Sequence, residues 1–179
     1  MRAGYKIEIK KAFRDDTTEP ITFTQDTSLG NSEVLLSATL NKKMYEYSSL
    51  VVEIQTEKDI ESFREKLITF SNDNSILAKD YYIFNIKQKT EKVILTAYSI
   101  DYFLTIDKFC QAFTAKTLVD GIIKPTLQKS HSTHFNKFRE ILTGDKNGDI
   151  SNFVVANIHN FLEKKVNEEE ETIYVESEI

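Results

Sequence analysis

Histidine and cysteine are the residue types here best suited to metal binding or nucleophilic chemistry. Two of the three histidines, His131 and His134, are spaced so that they share a face if the segment is helical. A zinc site needs at least a third protein ligand, and the sequence identifies none for this pair. The single cysteine, Cys110, lies in an aromatic-rich segment between Phe109 and Phe113, which favours a buried structural thiol over a nucleophile.

The acidic turn at residues 145–149, with the sequence DKNGD, has some likeness to a calcium loop. An EF-hand requires glycine at the sixth position and glutamate at the twelfth, where this chain has Ile150 and Ala156. A Gly/Asn/Asp turn fits the segment better. The chain also lacks a glycine-rich phosphate loop, a nucleophile elbow and a CxxC pair. We therefore expect a protein that is not an enzyme and that holds no metal or cofactor.

The elements that would carry any function are mostly β-strands. Tyr5, Ile7 and Ile9 alternate with charged residues, which is the period of a half-buried strand. The same alternation places residues 34, 36, 38 and 40 on one face, and residues 50, 52 and 54 on another. The sequence predicts strands at residues 5–13, 34–40, 50–54, 81–87 and 92–100, a weaker one at 21–23, and allows a last short strand at 172–176.

Short helices are expected around these strands. Thr56 to Asp59 has the form of a capping box. Ile60, Phe63 and Leu67 follow at helical spacing, so the sequence predicts a helix that ends near the polar residues 71–75. A second capping box at residues 117–120 opens a short helix before Pro125, and residues 131–142 have helical spacing too. The predicted fold class is mainly β (α+β), with barrel-like antiparallel sheets and two to four short peripheral helices.

The strand predicted at residues 92–100 is apolar on both faces, so we expect both of its faces to be covered, either within the fold or by a partner subunit. Tyr98 and Ile100 are the interface candidates on this strand. The Phe and Tyr content, 12 and 8 residues, fits such an interface and equally fits a large core.

Composition excludes several protein classes. The chain of 179 residues is 40% apolar, enough to build a core. Its net charge of −5 argues against a nucleic-acid surface. No segment is apolar enough to span a bilayer, and the N-terminus lacks the apolar run of a signal peptide, so synthesis in the cytoplasm is expected. Glutamates concentrated from residue 163 to residue 178 favour a solvated, partly mobile tail.

Six segments together resemble the N-terminal hub region of VgrG-type spike proteins, particularly those of Bacteroidetes contractile injection systems. The similarity covers about residues 32–127, and residues Tyr47 and Ser48 replace a Pro-Gly-like turn expected in such relatives. The segments are LNKKMYE (40–46), YYIFNI (81–86), AYSID (97–101), LTIDKF (104–109), FTAKTL (113–118) and DGIIKP (120–125).

The resemblance implies a barrel-like hub domain related to the tail hubs of contractile phages (the late control D-like family). Such domains assemble into a trimeric ring between the inner tube and the spike. It implies a structural baseplate component of a type VI secretion or related system, which is assembled into a tail-like particle without entering a membrane. The family continues into a second hub barrel and a spike, so the chain is expected to be a truncated piece or a short relative.

The domain boundary best supported by the sequence is the polar stretch at residues 128–133. It separates a tail-hub-like β-barrel domain, 1–127, from a partial second domain or a helical, acidic extension, 128–179. Two alternatives to the hub remain at this point. One is a stand-alone β-rich module that binds a protein or glycan through edge strands and exposed tyrosines. The other is a hydrolase or metalloprotein that uses His131 and His134.

Overall fold

The computed structural model describes residues 4–10, 19–28, 30–43, 46–99, 102 and 171–177. These residues form eight strands and one short 3-10 helix. The strands are β1 (Tyr5–Lys10), β2 (Ile21–Thr24), β3 (Val34–Lys42), β4 (Ser49–Gln55), β5 (Leu67–Asn72), β6 (Ile76–Lys89), β7 (Lys92–Tyr98) and β8 (Glu171–Glu176), and the 3-10 helix is Ile60–Phe63.

Seven of these strands close into a β-barrel. Their order around the barrel is β2-β1-β5-β6-β7-β4-β3, and β3 returns to β2 through a parallel contact between Thr24 and Val34. Every other strand pair is antiparallel. The eighth strand, β8, lies along β3 from Ser37 to Lys42. The predicted mainly β, barrel-like fold is therefore confirmed.

The barrel core is built by the alternation seen in the sequence. On β4, Leu50, Val52 and Ile54 are fully buried, and the polar or exposed residues between them face outward. Phe23 and Phe63 meet inside with ring centroids 6.0 Å apart. Each fully buried side chain of this size contributes roughly 1.5–3 kcal/mol. The same inward alternation on the neighbouring strands places Ile7, Ile9, Ala38, Leu40, Ile68, Phe70, Val93, Leu95 and Ala97 in this core.

The helix predicted from residue 60 toward residue 70 was wrong. Only Ile60–Phe63 forms a turn of 3-10 helix, whose N-cap Asp59 accepts a hydrogen bond from the backbone N–H of Glu61. Glu65 has a φ of 56°, outside the right-handed helical range. Strand β5 follows and pairs with both β1 and β6. Its ladder hydrogen bonds and its buried residues on both faces outweigh the helical spacing.

Strand β6 is bent by irregular pairing. Asp80 lies where β6 has extra residues opposite Thr69 of β5, and it has a φ of 55°. The Asp80 carboxylate, which is buried, is 2.9 Å from the ammonium group of Lys10. Further along, Phe84 has no partner on β7 between the pairs Ile83–Ala97 and Asn85–Thr96. Such bulges increase strand twist and redirect side chains.

The chain divides into two compact units, Met1–Ser99 with Glu169–Ile179, and Ile100–Glu168. Strand β8 belongs to the first unit and pairs with β3, so residues Glu171–Glu176 form a strand of the sheet and not a mobile tail, and the last short strand allowed by the sequence is confirmed. The predicted domain boundary at residue 127 and the helices predicted at 117–124 and 131–142 lie outside the described residues and stay predictions.

Candidate functional site

Among the described residues, four aromatic side chains form a cluster on the outside of the barrel, and Tyr98 lies at its centre. Tyr98 is the last residue of β7, where it pairs with Tyr82 of β6 and Ser49 of β4. Its ring meets Tyr47 edge-on with centroids 5.3 Å apart and meets Phe84 at 5.5 Å. The Phe84 ring also meets Tyr82, at 4.8 Å and 73°. We call Tyr47, Tyr82, Phe84 and Tyr98 the outer aromatic cluster.

The bulge at Phe84 and a pair of serines position this cluster. Because Phe84 is an extra residue between two ladder pairs, its ring lies on the outer side with Tyr82. The backbone N–H of Ser99 donates to the Ser48 carbonyl at 3.0 Å, and the Ser48 N–H donates to the Ser99 hydroxyl at 2.8 Å. These bonds hold Ser99, which follows Tyr98, against Ser48, which follows Tyr47, so the two tyrosine rings are brought together.

Tyr82 is the most buried member of the cluster. It is 6% exposed and pairs with the fully buried Leu67 of β5. Burial, followed by the negative charge of Glu65, raises the pKa of Tyr82 to about 12. The phenol is therefore neutral at physiological pH and serves as a packing and hydrogen-bonding group.

A row of three β-branched residues and one tyrosine continues the outer surface away from the cluster. Thr96 of β7 pairs with Val51 of β4, which pairs with Thr39 of β3 and then Tyr174 of β8. Val51 is 37% exposed and Tyr174 is 61% exposed. We call these four residues the outer row. An ion pair of 3.1 Å between Lys92 and Glu53 borders it.

The outer aromatic cluster and the outer row make a surface suited to protein contact. Tyrosine and phenylalanine are enriched at interfaces, since a large ring gives much contact area for little lost conformational freedom. None of the eight residues of the cluster and the row is Asp, Glu, Lys or Arg, and charged residues are depleted at the centre of interfaces.

The sequence-based site residues fall in different parts of the chain. Tyr98 is half-buried within the outer aromatic cluster, and its role at an interface stays a prediction. Within the residues that the structure describes, no group of three or more His, Cys, Asp or Glu residues could hold a metal ion. The other candidates, Ile100, Cys110, His131, His134 and residues 145–149, lie outside the described residues.

Sequence reasoning missed Tyr47, Tyr82 and Phe84 as neighbours of Tyr98. Tyr82 and Phe84 are two residues apart, a spacing that indicates a shared face. That these two residues lie beside Tyr98 depends on the register of β6 against β7, which the spacing does not indicate. Counting back from the turn, where Lys89 pairs with Lys92, an unbroken ladder would place Tyr98 opposite Ile83. The bulge shifts that partner to Tyr82.

A scan against models of known protein families finds no match for this chain, and no curated protein matches it. In the part of the chain that the structure describes, no helix has the length and hydrophobicity needed to cross a membrane.

Proposed function

We propose that this chain is a non-catalytic assembly protein, a structural hub or baseplate component of a contractile, phage-tail-like injection system. The observation that carries the proposal is the outer aromatic cluster on a closed β-barrel, which includes Tyr98 of the VgrG-like segment AYSID. On this proposal the barrel is a rigid scaffold, and its outer surface binds neighbouring subunits. The inner tube and the spike are the partners that the resemblance implies.

The energetics of the outer surface support a role in assembly. Val51 is partly exposed and Tyr98 is half-buried, so each keeps apolar area that a partner could cover. Removing apolar area from water contributes roughly 25 cal/mol per Å², and a standard interface buries about 800 Å² on each partner. Ring contacts within the cluster restrain the side chains in advance, which lowers the entropy cost of association.

The first test is the mass of the purified chain in solution, by light scattering over a concentration series. We expect a trimer of three times 20.7 kDa, about 62 kDa. Tyr98→Asp would place a charge at the centre of the surface and should shift the mass toward the monomer. Gln88→Asp, which adds the same charge at an exposed position on β6, should leave the trimer intact. A chain that is monomeric at every concentration would contradict the proposal. So would a Tyr98→Asp variant that folds and still has the mass of the trimer.

A second candidate function is a stand-alone β-rich module that binds a protein or a glycan. The observation that favours it is Tyr174, whose ring is 61% exposed on the last strand of the sheet. This function predicts a monomer that binds a ligand through Tyr174, so the mass measurement separates it from the hub.

A further inference from the structure

In the part of the chain that the structure describes, strand β8 has a free edge. It is the terminal strand in the sheet order, and β3 is its only partner strand among the described residues. Its register with β3 is uninterrupted from Glu171 to Glu176. Natural proteins protect such edges with proline, charged side chains, bulges or covering segments. The sequence of β8, ETIYVE, contains no proline, and its two charged residues lie at its ends.

The free backbone groups of β8 can be assigned from the hydrogen-bond pattern. The N–H of Ser177 donates to the carbonyl of Leu36 at 2.7 Å, so alternate residues of β8, Val175 and Ile173, also point their backbone groups toward β3. The residues between them, Tyr174 and Thr172, point their N–H and C=O groups away from β3.

Glu176 supports this assignment. Its carbonyl faces the outer side, where it accepts a hydrogen bond from the side chain of Gln25 at 3.4 Å. Two residues, Thr172 and Tyr174, are left with both backbone groups on the open edge, and both residues are exposed. An added strand could therefore form up to four backbone hydrogen bonds along this edge, two with each residue.

The side chains of β8 define what an added strand should contain. Ile173 is half-buried and faces the barrel interior, so an apolar side chain beside it would extend the core. On the outer face, the Tyr174 ring and the exposed Glu176 carboxylate lie on the same side of the strand. A cationic side chain placed there gains both an opposite charge and an aromatic face. A strand that alternates apolar and cationic residues satisfies both faces.

Charge argues against a second copy of β8 as the partner. Each copy brings Glu171 and Glu176, so a ladder of two copies would contain four glutamates. Three more glutamates immediately precede the strand, at residues 168–170. Like charges brought together across a ladder destabilise it.

We propose that the free edge of β8 binds an extended segment of another protein in which apolar residues alternate with lysine or arginine. The segment adds a strand to the sheet beyond β8. The proposal goes beyond the assembly function, because the trimer hypothesis makes no demand on this edge.

Fluorescence anisotropy with a short, labelled peptide of alternating lysine and valine tests the proposal on the full chain. We expect saturable binding that weakens as salt is added. A matched peptide of alternating glutamate and valine should not bind. A lysine–valine peptide N-methylated on alternate residues loses the donors of one edge, and should bind roughly tenfold more weakly or not at all.

Two variants locate the binding edge. Tyr174→Pro removes the outward N–H without removing a hydrogen bond to β3, and Tyr174→Ala removes the same ring but keeps the N–H. We expect Tyr174→Pro to bind roughly tenfold more weakly than Tyr174→Ala. Thr172→Pro tests the same edge if Tyr174→Pro does not fold.

Three outcomes would overturn the proposal: no binding by the unmodified chain, equal binding of the N-methylated peptide, or equal binding by the two Tyr174 variants. Equal binding of the acidic peptide would overturn the assignment of a cationic partner. Light scattering of the same variants separates this test from the hub hypothesis, because loss of peptide binding with an unchanged trimer mass would concern the edge alone.

Discussion

At the residue scale, Tyr82 couples the outer aromatic cluster to pH. Its pKa is raised to about 12 in the folded chain, against the ordinary value of 10.0 for tyrosine. Between these values the unfolded chain gives up the phenolic proton more readily than the folded chain does. The contribution of Tyr82 to stability is therefore fully present below about pH 10 and is lost as the pH rises toward about 12.

We predict that the free energy of unfolding falls by on the order of 2 kcal/mol across this window because of Tyr82 alone. Tyr82→Phe removes the titrating group, so the variant should lose less stability between the same pH values. Urea unfolding of both proteins at several alkaline pH values measures the difference. Parallel losses of stability in the two proteins would show that Tyr82 is not the group responsible.

At the scale of elements, Gln25 joins three strands at the place where the barrel closes. Its side-chain oxygen accepts a hydrogen bond from the N–H of Tyr5 on β1 at 3.2 Å. Its side-chain nitrogen donates to the carbonyl of Glu176 on β8 at 3.4 Å. It immediately follows β2, so one side chain links β1, β2 and β8. Since Thr24–Val34 is the one register pair between β2 and β3 in the described residues, and β8 pairs with β3, this link supports the closure of the barrel.

We predict that Gln25→Ala lowers the free energy of unfolding by about 1 kcal/mol, the usual net value of a few partly exposed hydrogen bonds. Gln25→Glu keeps the acceptor for Tyr5 but places a carboxylate oxygen against the carbonyl of Glu176, so hydrogen exchange at Tyr5 should stay slow although the link to β8 is lost. Chemical denaturation of the three proteins measures the differences, and hydrogen exchange at Tyr5 reports the bond directly. An unchanged exchange rate at Tyr5 in Gln25→Ala would contradict the assigned link.

At the scale of the whole molecule, the barrel unit is assembled from both ends of the sequence. Residues 100–168 separate β7 from β8, yet β8 pairs with β3 over six residue pairs. Val175 of β8 is 7% exposed and belongs to the barrel core. Strand β8 therefore extends the sheet beside β3 and packs against the barrel core.

We predict that truncation after Glu168, which removes β8, lowers the free energy of unfolding by roughly 2–4 kcal/mol. The cause is the loss of Val175 and of the hydrogen-bond partners of β3. Truncation after Ser177 removes only the last two residues and is the matched control. Equal denaturation midpoints for the two truncated chains would show that β8 does not stabilise the barrel.

The sequence predicts seven of the eight described strands, all but β5. Alternation on β1, β4 and β7 identifies the buried residues, because a strand buried on one face leaves a period of two in its composition. It also identified Tyr98 as an outward aromatic on a strand that is apolar on both faces. A period of two, however, says which face a residue takes and not which strand lies beside it.

Only the tertiary structure decided the pairing. Ile60, Phe63 and Leu67 have helical spacing, and β5 forms instead because β1 and β6 supply hydrogen bonds along both of its edges. The bulge at Phe84 moves Tyr82 opposite Tyr98, a shift of one residue that local sequence does not show. Closure of the barrel and the place of β8 depend on contacts between residues far apart in the chain, and such contacts leave no periodic signal in either segment.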